Sequence, residues 1–209
     1  MKDMDKLSES ISGKAKIIII NGQPASGKDA LADRLTEFGY EKGGIGEELR
    51  RIAGERGLDA SDRNVTNQLH AELQEREGRD WFVKRIEKKI TENPDTRIVI
   101  VGVRSLITMT GIIGLANDHP DQVKLATMAL EGSPQIRFSN AQQSPRSRGN
   151  TLDEFIAQEE PENHSATNKA GLSVLATMMM CDASFEQETP SDYSYQDDAL
   201  NWLRKRGML

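Results

Sequence analysis

The sequence predicts an α/β fold of three layers, in which helices cover both faces of a mostly parallel, five-stranded sheet. Two continuous apolar runs, Ile17–Ile20 and Ile98–Val101, are typical of strands that are buried on both faces. Helical patterns follow both runs, and this alternation is the order expected of a parallel sheet. The 209 residues are enough for one domain of this kind with a full core.

Hydrophobic periodicity and turn residues assign the other elements in order along the chain. Residues 28–38 form a predicted helix that ends at Gly39, and residues 40–46 form a short connection with three glycines. The later predicted helices lie at about 45–53, 64–77, 82–90, 106–115, 133–137, 151–156, 172–180 and 196–205, and the later strands at 98–101, 123–130 and 183–187. Residues 1–13 are polar and are predicted to form a flexible tail, which leaves 14–209 as one domain.

Composition excludes several classes of function. A net charge of −6 and a pI near 5.2 argue against a nucleic-acid or anionic-membrane surface. The one cysteine, Cys181, excludes an internal disulfide, and the three histidines have no metal-ligand spacing. Since no segment approaches the length of about 18 apolar residues that a membrane span needs, a cytoplasmic protein is expected.

The loop after the first strand has the spacing G-x-x-x-x-G-K and leads directly into a helix. Its glycines permit backbone angles at which N–H groups line an anion-sized hollow, and Lys28 reaches the β- and γ-phosphates of a nucleotide. Asp29 follows where Ser or Thr normally holds Mg²⁺. The predicted nucleotide-binding residues are Gly22, Gln23, Pro24, Ala25, Ser26, Gly27, Lys28 and Asp29.

Arginines from several segments favour a small-molecule kinase among the proteins with such a loop, because the substrates and the transition state are both rich in negative charge. These arginines are Arg50 or Arg51, Arg104, Arg137, and Arg146 with Arg148. A GTPase is not indicated, since Asn168 and Lys169 match only the first two residues of a guanine-recognition motif and no acidic residue completes it.

From about Ala15 to Gln187, the sequence resembles the branch of P-loop kinases that contains nucleoside monophosphate kinases and dephospho-coenzyme A kinases. Gly46–Arg50 is similar to the family's G-D-x-L-R segment, and Ile100–Ser105 to its strand ending in I-D-G-x-R-S. Ala129–Arg137 resembles a strand followed by a helix that begins P-x-x-R, and Arg146–Phe155 resembles the basic lid and the helix after it.

The resemblance implies the P-loop NTPase fold, ATP with Mg²⁺ as cofactors, and a role for each matching residue. Arg50 and Arg104 would hold the acceptor, and Arg137 would contact the nucleotide phosphates. Lys28, Arg104, Arg146 and Arg148 would stabilise the transferred phosphate, with about 40–92 forming the acceptor-binding helices and about 138–170 the lid. Glu47 would orient or deprotonate an acceptor that carries a hydroxyl.

Two positions depart from that family together. Asp29 replaces the metal-binding hydroxyl of the loop, and Val101 replaces the aspartate at the end of the second apolar strand. Either Asp29 is a relocated Mg²⁺ ligand and catalysis is retained, or the chain binds a nucleotide without transferring phosphate and has a sensing or scaffold role.

We therefore expect an ATP-dependent phosphotransferase that acts on a nucleotide monophosphate or a related small phosphorylated metabolite. The alternatives are a nucleotide-binding protein without transferase activity and a kinase with a hydroxyl acceptor of the dephospho-coenzyme A type. Glu47, Arg50 and Arg51 could instead form ion pairs on a solvated helix face, and Arg146 and Arg148 a plain surface loop. The sequence makes no prediction of the oligomeric state.

Overall fold

The strand β1 (Ala15–Asn21) lies at the centre of the sheet in the computed structural model. The structure describes residues 14–143, 149–163, 173–190 and 192–209, with the exception of two side chains, those of Arg63 and Glu162. Four isoleucines of β1 are fully buried, as their continuous apolar run predicts for a central strand. The strand thus supplies the centre of the core and leads directly to the glycine loop.

The sheet has five strands in the order β2-β3-β1-β4-β5, and each neighbouring pair is parallel. The strands that flank β1 are β2 (Glu41–Gly43), β3 (Arg97–Val101), β4 (Val123–Gly132) and β5 (Ala183–Gln187). Ile18 is in register with Val99 of β3 and Ala126 of β4. The predicted five-stranded parallel sheet is therefore confirmed.

The helices of the described residues agree with the predicted order, and most bounds differ by a few residues. They are α1 (Lys28–Thr36), α2 (Ile45–Glu55), α3 (Arg63–Glu77), α4 (Trp81–Glu92), α5 (Leu106–Asp118), α6 (Pro134–Gln142), α7 (Leu152–Asn163), α8 (Val174–Met179) and α9 (Ser194–Lys205). The largest difference within a described element is α7, which continues seven residues beyond its expected end at Ile156, while α6 continues five beyond Arg137. None of these helices is long and apolar enough to cross a membrane.

Alternate residues of β1 pack against the helical layers on opposite faces of the sheet. Ile17 and Ile19 pack in one hydrophobic cluster with residues of α2, α3, α4 and α5, whereas Ile18 and Ile20 pack in the other with α1 and α9. Successive side chains of a strand point to opposite faces of the sheet, so one apolar run supplies both layers. This is the three-layer α/β/α arrangement that the sequence predicts.

The short strand β2 lies within the segment 40–46, where the sequence analysis assigns only a connection. Its residues, Glu41, Lys42 and Gly43, pair with Ile98, Val99 and Ile100 of β3. The strand has no apolar residue, and it lies at the edge of the sheet, where the side chains need not be buried. Hydrophobic patterning therefore contains no signal for it.

The carboxyl ends of β1 and β3 are joined by hydrogen bonds at the edge where ligands bind in open α/β sheets. The N–H of Gly102 donates to the carbonyl oxygen of Ile20 at 2.9 Å. The side-chain oxygen of Asn21, which is buried, accepts from the N–H of Val103, also at 2.9 Å. These bonds hold the loop after β1 beside the segment Gly102–Ser105.

Candidate nucleotide-binding site

The glycine loop lies so close to its surroundings that there is no room for a side chain at either glycine of the G-x-x-x-x-G-K motif. A Cβ atom on Gly22 would lie 2.3 Å from Oγ of Ser26 and 2.6 Å from the carbonyl oxygen of Leu130. Gly27 has a left-handed backbone (φ 82°), and a Cβ atom there would lie 2.0 Å from the hydroxyl oxygen of Tyr195. Glycine is therefore required for both the shape and the packing of the loop.

Three consecutive carbonyl groups of the loop accept hydrogen bonds from side chains of α6 and α9. Arg137 donates to the carbonyl of Pro24 at 3.3 Å, and Asn140 donates to that of Ala25 at 3.0 Å. Tyr195 donates to the carbonyl of Ser26 at 3.4 Å. Within a trans peptide the N–H points opposite to the C=O, so the peptide N–H groups of the loop point away from these donors.

Ala25 is the residue that these contacts hold in an unfavourable conformation. Its φ of 59° is left-handed, and it is the one non-glycine residue with positive φ among those that the structure describes. Such a backbone costs alanine about 1–2 kcal/mol. The bond from Asn140 fixes the carbonyl of this same residue, so the loop keeps its shape at the expense of local strain.

The helix α1 begins at the end of the loop and presents its first N–H groups there. Gly27 is the N-cap and has no side chain that could accept from them. The first four N–H groups of an α-helix have no partner within the helix, and the helix dipole adds partial positive charge at this end. The loop and the start of α1 together therefore form a binding site for an anion.

Lys28 lies over the loop, as the motif requires. Its ammonium donates to the carbonyl oxygen of Gln23 at 3.0 Å. Its Cε is 3.6 Å from the position that a Cβ on Gly102 would occupy, so the side chain runs towards the end of β3. The amine is thus within the site, and bound phosphate oxygens could replace the carbonyl as its acceptor.

Ser26 has a buried hydroxyl at the base of the loop. The residue is fully buried, and its Oγ has no hydrogen-bond partner among the residues that the structure describes. A buried polar atom in this state costs about 1–3 kcal/mol relative to one with a partner. Such an atom is typical of a site whose geometry serves binding.

A cleft of about 680 Å³ opens over the loop. Its walls include Lys28, Asp29, Lys42 and Arg104, together with Asn140, Phe155, Tyr193 and Tyr195. The lining thus combines charged side chains with three aromatic rings. This distribution suits a ligand with a phosphate group and an apolar, planar part.

Asp29, the predicted metal ligand, points its carboxylate towards a lysine. The distance from its Oδ1 to Nζ of Lys42 is 3.3 Å, and Nζ of Lys42 is also 2.9 Å from Oδ1 of Asp33. Burial opposes the charge of Lys42, but the hydrogen bond to Asp33 and the charge of Asp29 raise its pKa above the ordinary value of 10.5. Lys42 is therefore charged at neutral pH.

Asp29 is the carboxylate that the loop itself offers to Mg²⁺. The described residues contain no group of three His, Cys, Asp or Glu side chains that could hold a metal ion. Mg²⁺ at phosphate-transfer sites is bound by one or two carboxylates together with phosphate oxygens. Asp29 fits that requirement as a single ligand, while Val101 at the end of β3 supplies none.

The acceptor-side residues predicted on α2 form local ion pairs. Arg50 contacts Glu47 at 2.7 Å, and Arg51 contacts Glu48 at 2.6 Å. These are the helix-face pairs that the sequence analysis gives as the simpler alternative, each contributing about 0.2–0.5 kcal/mol. Glu47 lines a second cavity of about 590 Å³ between β2, α2 and α4, whereas Arg104 lines the cleft over the loop.

Arg137 is not on the open side of the loop, where the resemblance to kinases puts a phosphate-contacting arginine. Its side chain is 2% exposed and forms an ion pair with Glu159 of α7, which is equally buried. Besides Pro24, it donates to the carbonyl of Gly132 at 3.1 Å. The buried carboxylate of Glu159 draws the guanidinium behind the loop, so Arg137 supports the loop from below in this structure.

Sequence reasoning did not identify Lys42, Asn140, Tyr195 or Glu159. Each is a common residue type outside any motif, and each meets the loop only through the tertiary fold. Tyr193–Gln196 is the segment with a usable signal, since two tyrosines in a polar stretch are unusual in this aromatic-poor chain. Arg146 and Arg148 lie outside the described residues, and their role stays a prediction.

Comparison with solved structures identifies the fold. The shikimate kinase of Bacteroides thetaiotaomicron is 14% identical with a TM-score of 0.50, and the alignment covers 92% of this chain and 98% of that one. The protein TT1252 of Thermus thermophilus is 16% identical with a TM-score of 0.55 over the same shares of the two chains. The chain has the fold of P-loop kinases.

Sequence comparison finds archaeal relatives whose names state no activity. A UPF0200/UPF0201 protein of Archaeoglobus fulgidus is 30% identical over 138 residues, which are 63% of this chain and 40% of that protein. A UPF0200 protein of Hyperthermus butylicus is 28% identical over 62% of this chain and 66% of its own length. The chain thus spans less than two thirds of either relative. No protein-family model matches it.

Proposed function

We propose that the chain is an ATP-dependent phosphotransferase that acts on a nucleotide monophosphate or a related small phosphorylated metabolite. The observation that carries this proposal is the loop itself. Three of its carbonyls are held by α6 and α9, while Lys28 and the N-terminus of α1 offer positive charge to a polyphosphate. The kinase fold of the chain supports the same function.

In this proposal the described residues bind and orient the reactants. Lys28 and the first N–H groups of α1 hold the phosphates of ATP, and Arg104 in the wall of the same cleft faces the acceptor. Phosphoryl transfer requires mainly positioning and charge stabilisation, which these cations supply. Mg²⁺ held by Asp29 would neutralise phosphate charge when bound.

The acceptor would lie between the segment 40–57 and the carboxyl end of β3. Arg50 would release Glu47 and bind the phosphate of the acceptor instead. The exposed Glu47–Arg50 ion pair is weak enough for this replacement. An acceptor phosphate is already ionised and needs no base. For an acceptor hydroxyl, Glu47 would then be free to orient or deprotonate it. Arg146 and Arg148 would cover the transferred group.

A nucleotide-binding protein without transferase activity is the second candidate. It is favoured by the two altered metal positions, because Val101 provides no ligand and the carboxylate of Asp29 is paired with Lys42. In this case the chain would bind ATP and change shape or partner without forming ADP. The experiment below separates the two candidates.

Calorimetric titration with ATP and Mg²⁺ tests binding, and ADP release in the presence of acceptors tests transfer. We expect the wild type to bind ATP and Lys28→Ala to bind it at least about tenfold more weakly, because a phosphate-contacting cation is lost. Lys84→Ala is the matched control, since Lys84 of α4 lies 2.9 Å from the carboxylate of Asp80 and does not line the cleft. Nucleoside monophosphates and dephospho-coenzyme A serve as acceptors.

The outcomes are distinct. ADP that forms only when an acceptor is present supports the transferase. Binding of ATP without ADP formation from any acceptor supports the second candidate. If neither the wild type nor Lys28→Ala binds any nucleotide, both candidate functions are contradicted.

A further inference from the structure

Lys42 connects the edge strand β2 with the start of α1. Besides its contacts with the carboxylates of Asp29 and Asp33, its ammonium donates to the carbonyl oxygen of Asp29 at 3.4 Å. The two aspartates are four residues apart and lie on one face of the helix. One cation from a different element thus contacts both carboxylates on this face of α1 beside the loop.

The lysine is more enclosed than the carboxylates that it contacts. Its side chain is 24% exposed, against 69% for Asp29 and 68% for Asp33. It lines the cleft over the loop and also the cavity between β2, α2 and α4. The ammonium is therefore part of the wall of the proposed nucleotide site and is not a freely solvated surface charge.

The position of Asp29 makes this contact important. An uncharged hydroxyl is usual at the eighth residue of such a loop, and an aspartate there adds negative charge where a nucleotide brings several more. Like charges in a partly enclosed cleft repel each other, and solvent screens them incompletely. Within the described chain, the ion-pair partner of Asp29 is Lys42. Without that partner, the loop would repel a polyphosphate that carries no metal.

We propose that Lys42 masks the charge of Asp29 and so lets the loop bind a nucleoside triphosphate that carries no divalent cation. When Mg²⁺ accompanies the nucleotide, Asp29 exchanges the lysine for the metal, and Lys42 keeps its contact with Asp33. Lys42 thereby sets how strongly nucleotide affinity depends on Mg²⁺. This inference rests on the proposed binding of a nucleotide at the loop, and it does not depend on phosphate transfer.

The test is calorimetric titration with ATP, in EDTA and in excess Mg²⁺. Lys42→Met is expected to weaken binding about fivefold in EDTA, the effect of losing one partly exposed charge contact, and less than about twofold in Mg²⁺. The double variant Asp29→Asn with Lys42→Met is expected to regain the affinity lost in EDTA, because the charge to be masked is gone. Lys84→Met, which removes a similarly paired lysine of α4, is expected to change neither value.

Each other outcome counts against this role for Lys42. Equal weakening by Lys42→Met in EDTA and in Mg²⁺, or no recovery in the double variant, would overturn the inference while leaving nucleotide binding intact. Absence of ATP binding by the wild type would instead overturn the proposed function. If thermal unfolding shows that Lys42→Met does not fold, Lys42→Gln replaces it: its affinity in EDTA should fall about fivefold, and an unchanged affinity would contradict the proposal.

Discussion

At the scale of single residues, Arg137 shows how a correctly located residue can have a different role from the one its motif suggests. The P-x-x-R pattern at the start of α6 predicts an arginine near the nucleotide, and the guanidinium does lie against the loop. It contacts the loop from the buried side because Glu159 lies there. Charged side chains this deeply buried are found where they are paired.

The pair predicts a large loss of stability when only one partner is removed. Arg137→Met removes the guanidinium that contacts the buried carboxylate of Glu159, and the free energy of unfolding should fall by about 3–5 kcal/mol. Replacing both residues, Arg137→Met with Glu159→Leu, should recover most of that loss. Urea unfolding measures these free energies.

The control is Arg76→Met, since Arg76 is 56% exposed and its ion pairs on α3 should contribute less than about 1 kcal/mol. A different outcome would restore the role that the resemblance implies. If Arg137→Met remained as stable as the wild type but lost ATP binding, the arginine would be acting on the phosphates.

The contacts of Asn140 and Tyr195 with the loop could not have been found from the sequence. The motif predicts Gly22, Gly27 and Lys28 because their roles depend on the local backbone alone. Asn140 and Tyr195 act on loop carbonyls from positions 115 and 169 residues away in the chain. Their contacts exist only after the sheet has brought α6 and α9 to the loop.

At the scale of elements, α3 and α4 pack through an aromatic contact that includes a titratable residue. The ring of His70 on α3 lies edge-on to that of Trp81 on α4, with the centroids 5.9 Å apart. Burial lowers the pKa of His70 below its ordinary value of 6.5. The folded protein therefore keeps this imidazole neutral at a pH where the unfolded chain protonates it.

Stability should accordingly fall as the pH decreases. Above about pH 7 both states hold a neutral His70, and below about 6.5 the unfolded state gains a proton that the folded state resists. We expect the free energy of unfolding to decline from pH 7.5 to 5.5, and to decline less in His70→Gln. Urea unfolding at several pH values measures this slope.

His119→Gln is the control for the replacement of a histidine, because His119 is exposed at the end of α5. Equal slopes for His70→Gln and the wild type would exclude this histidine as the source of the pH dependence.

Element types were predictable where packing follows a regular period. The amphipathic stripe of α2, with Leu49, Ile52 and Ala53, became its buried face, as predicted. The strand β2 was not predictable, because its three edge residues have no apolar side chain and so show no hydrophobic periodicity. This omission concealed Lys42 as well, since a lysine in a connection gives no reason to expect contact with α1.

At the scale of the whole molecule, the segment after α9 returns to the first half of the chain. The buried hydroxyl of Tyr40 donates to the carbonyl oxygen of Met208 at 2.7 Å. The ammonium of Lys16 on β1 donates to the carbonyl oxygens of Gly207 and Met208 at 2.9 and 3.1 Å. The chain's last described residues are thus bound to the strands that carry the loop.

Tyr40→Phe tests this connection. The change leaves the carbonyl of Met208 without the Tyr40 donor, so the free energy of unfolding at pH 8 should fall by about 1–2 kcal/mol. Burial raises the pKa of Tyr40 to about 12, against an ordinary value of 10. The stability that depends on the protonated hydroxyl is complete below pH 10 and is lost as the pH rises through 12.

The difference between wild type and Tyr40→Phe should therefore shrink between pH 10 and 12, as urea unfolding at both ends of that range would reveal. Tyr193→Phe is the control, because Tyr193 is 55% exposed and its hydroxyl should contribute little to stability. A constant difference across that range would mean that Tyr40 stabilises the fold by packing alone.

The overall architecture was the most predictable part of the molecule. Apolar runs of β-branched residues, glycine turns and amphipathic stripes are dictated by the chain locally, and together they leave few arrangements other than a parallel sheet between helices. The acceptor stays a proposal for a physical reason. Specificity depends on side chains gathered from several elements, and such a gathering has no signature in one sequence.

The register of β1 against its neighbouring strands depends on a polar residue, because its four consecutive isoleucines specify the register weakly. Were β1 displaced by one position against its neighbours, isoleucine would replace isoleucine at three of the four buried positions, so hydrophobic burial opposes the slip only weakly. Asn21 opposes it, because its amide oxygen bonds the N–H of Val103 in one alignment only. This bond and the one from the N–H of Gly102 to the carbonyl of Ile20 hold the point at which the strand ends, and with it the height at which a phosphate would rest above the sheet.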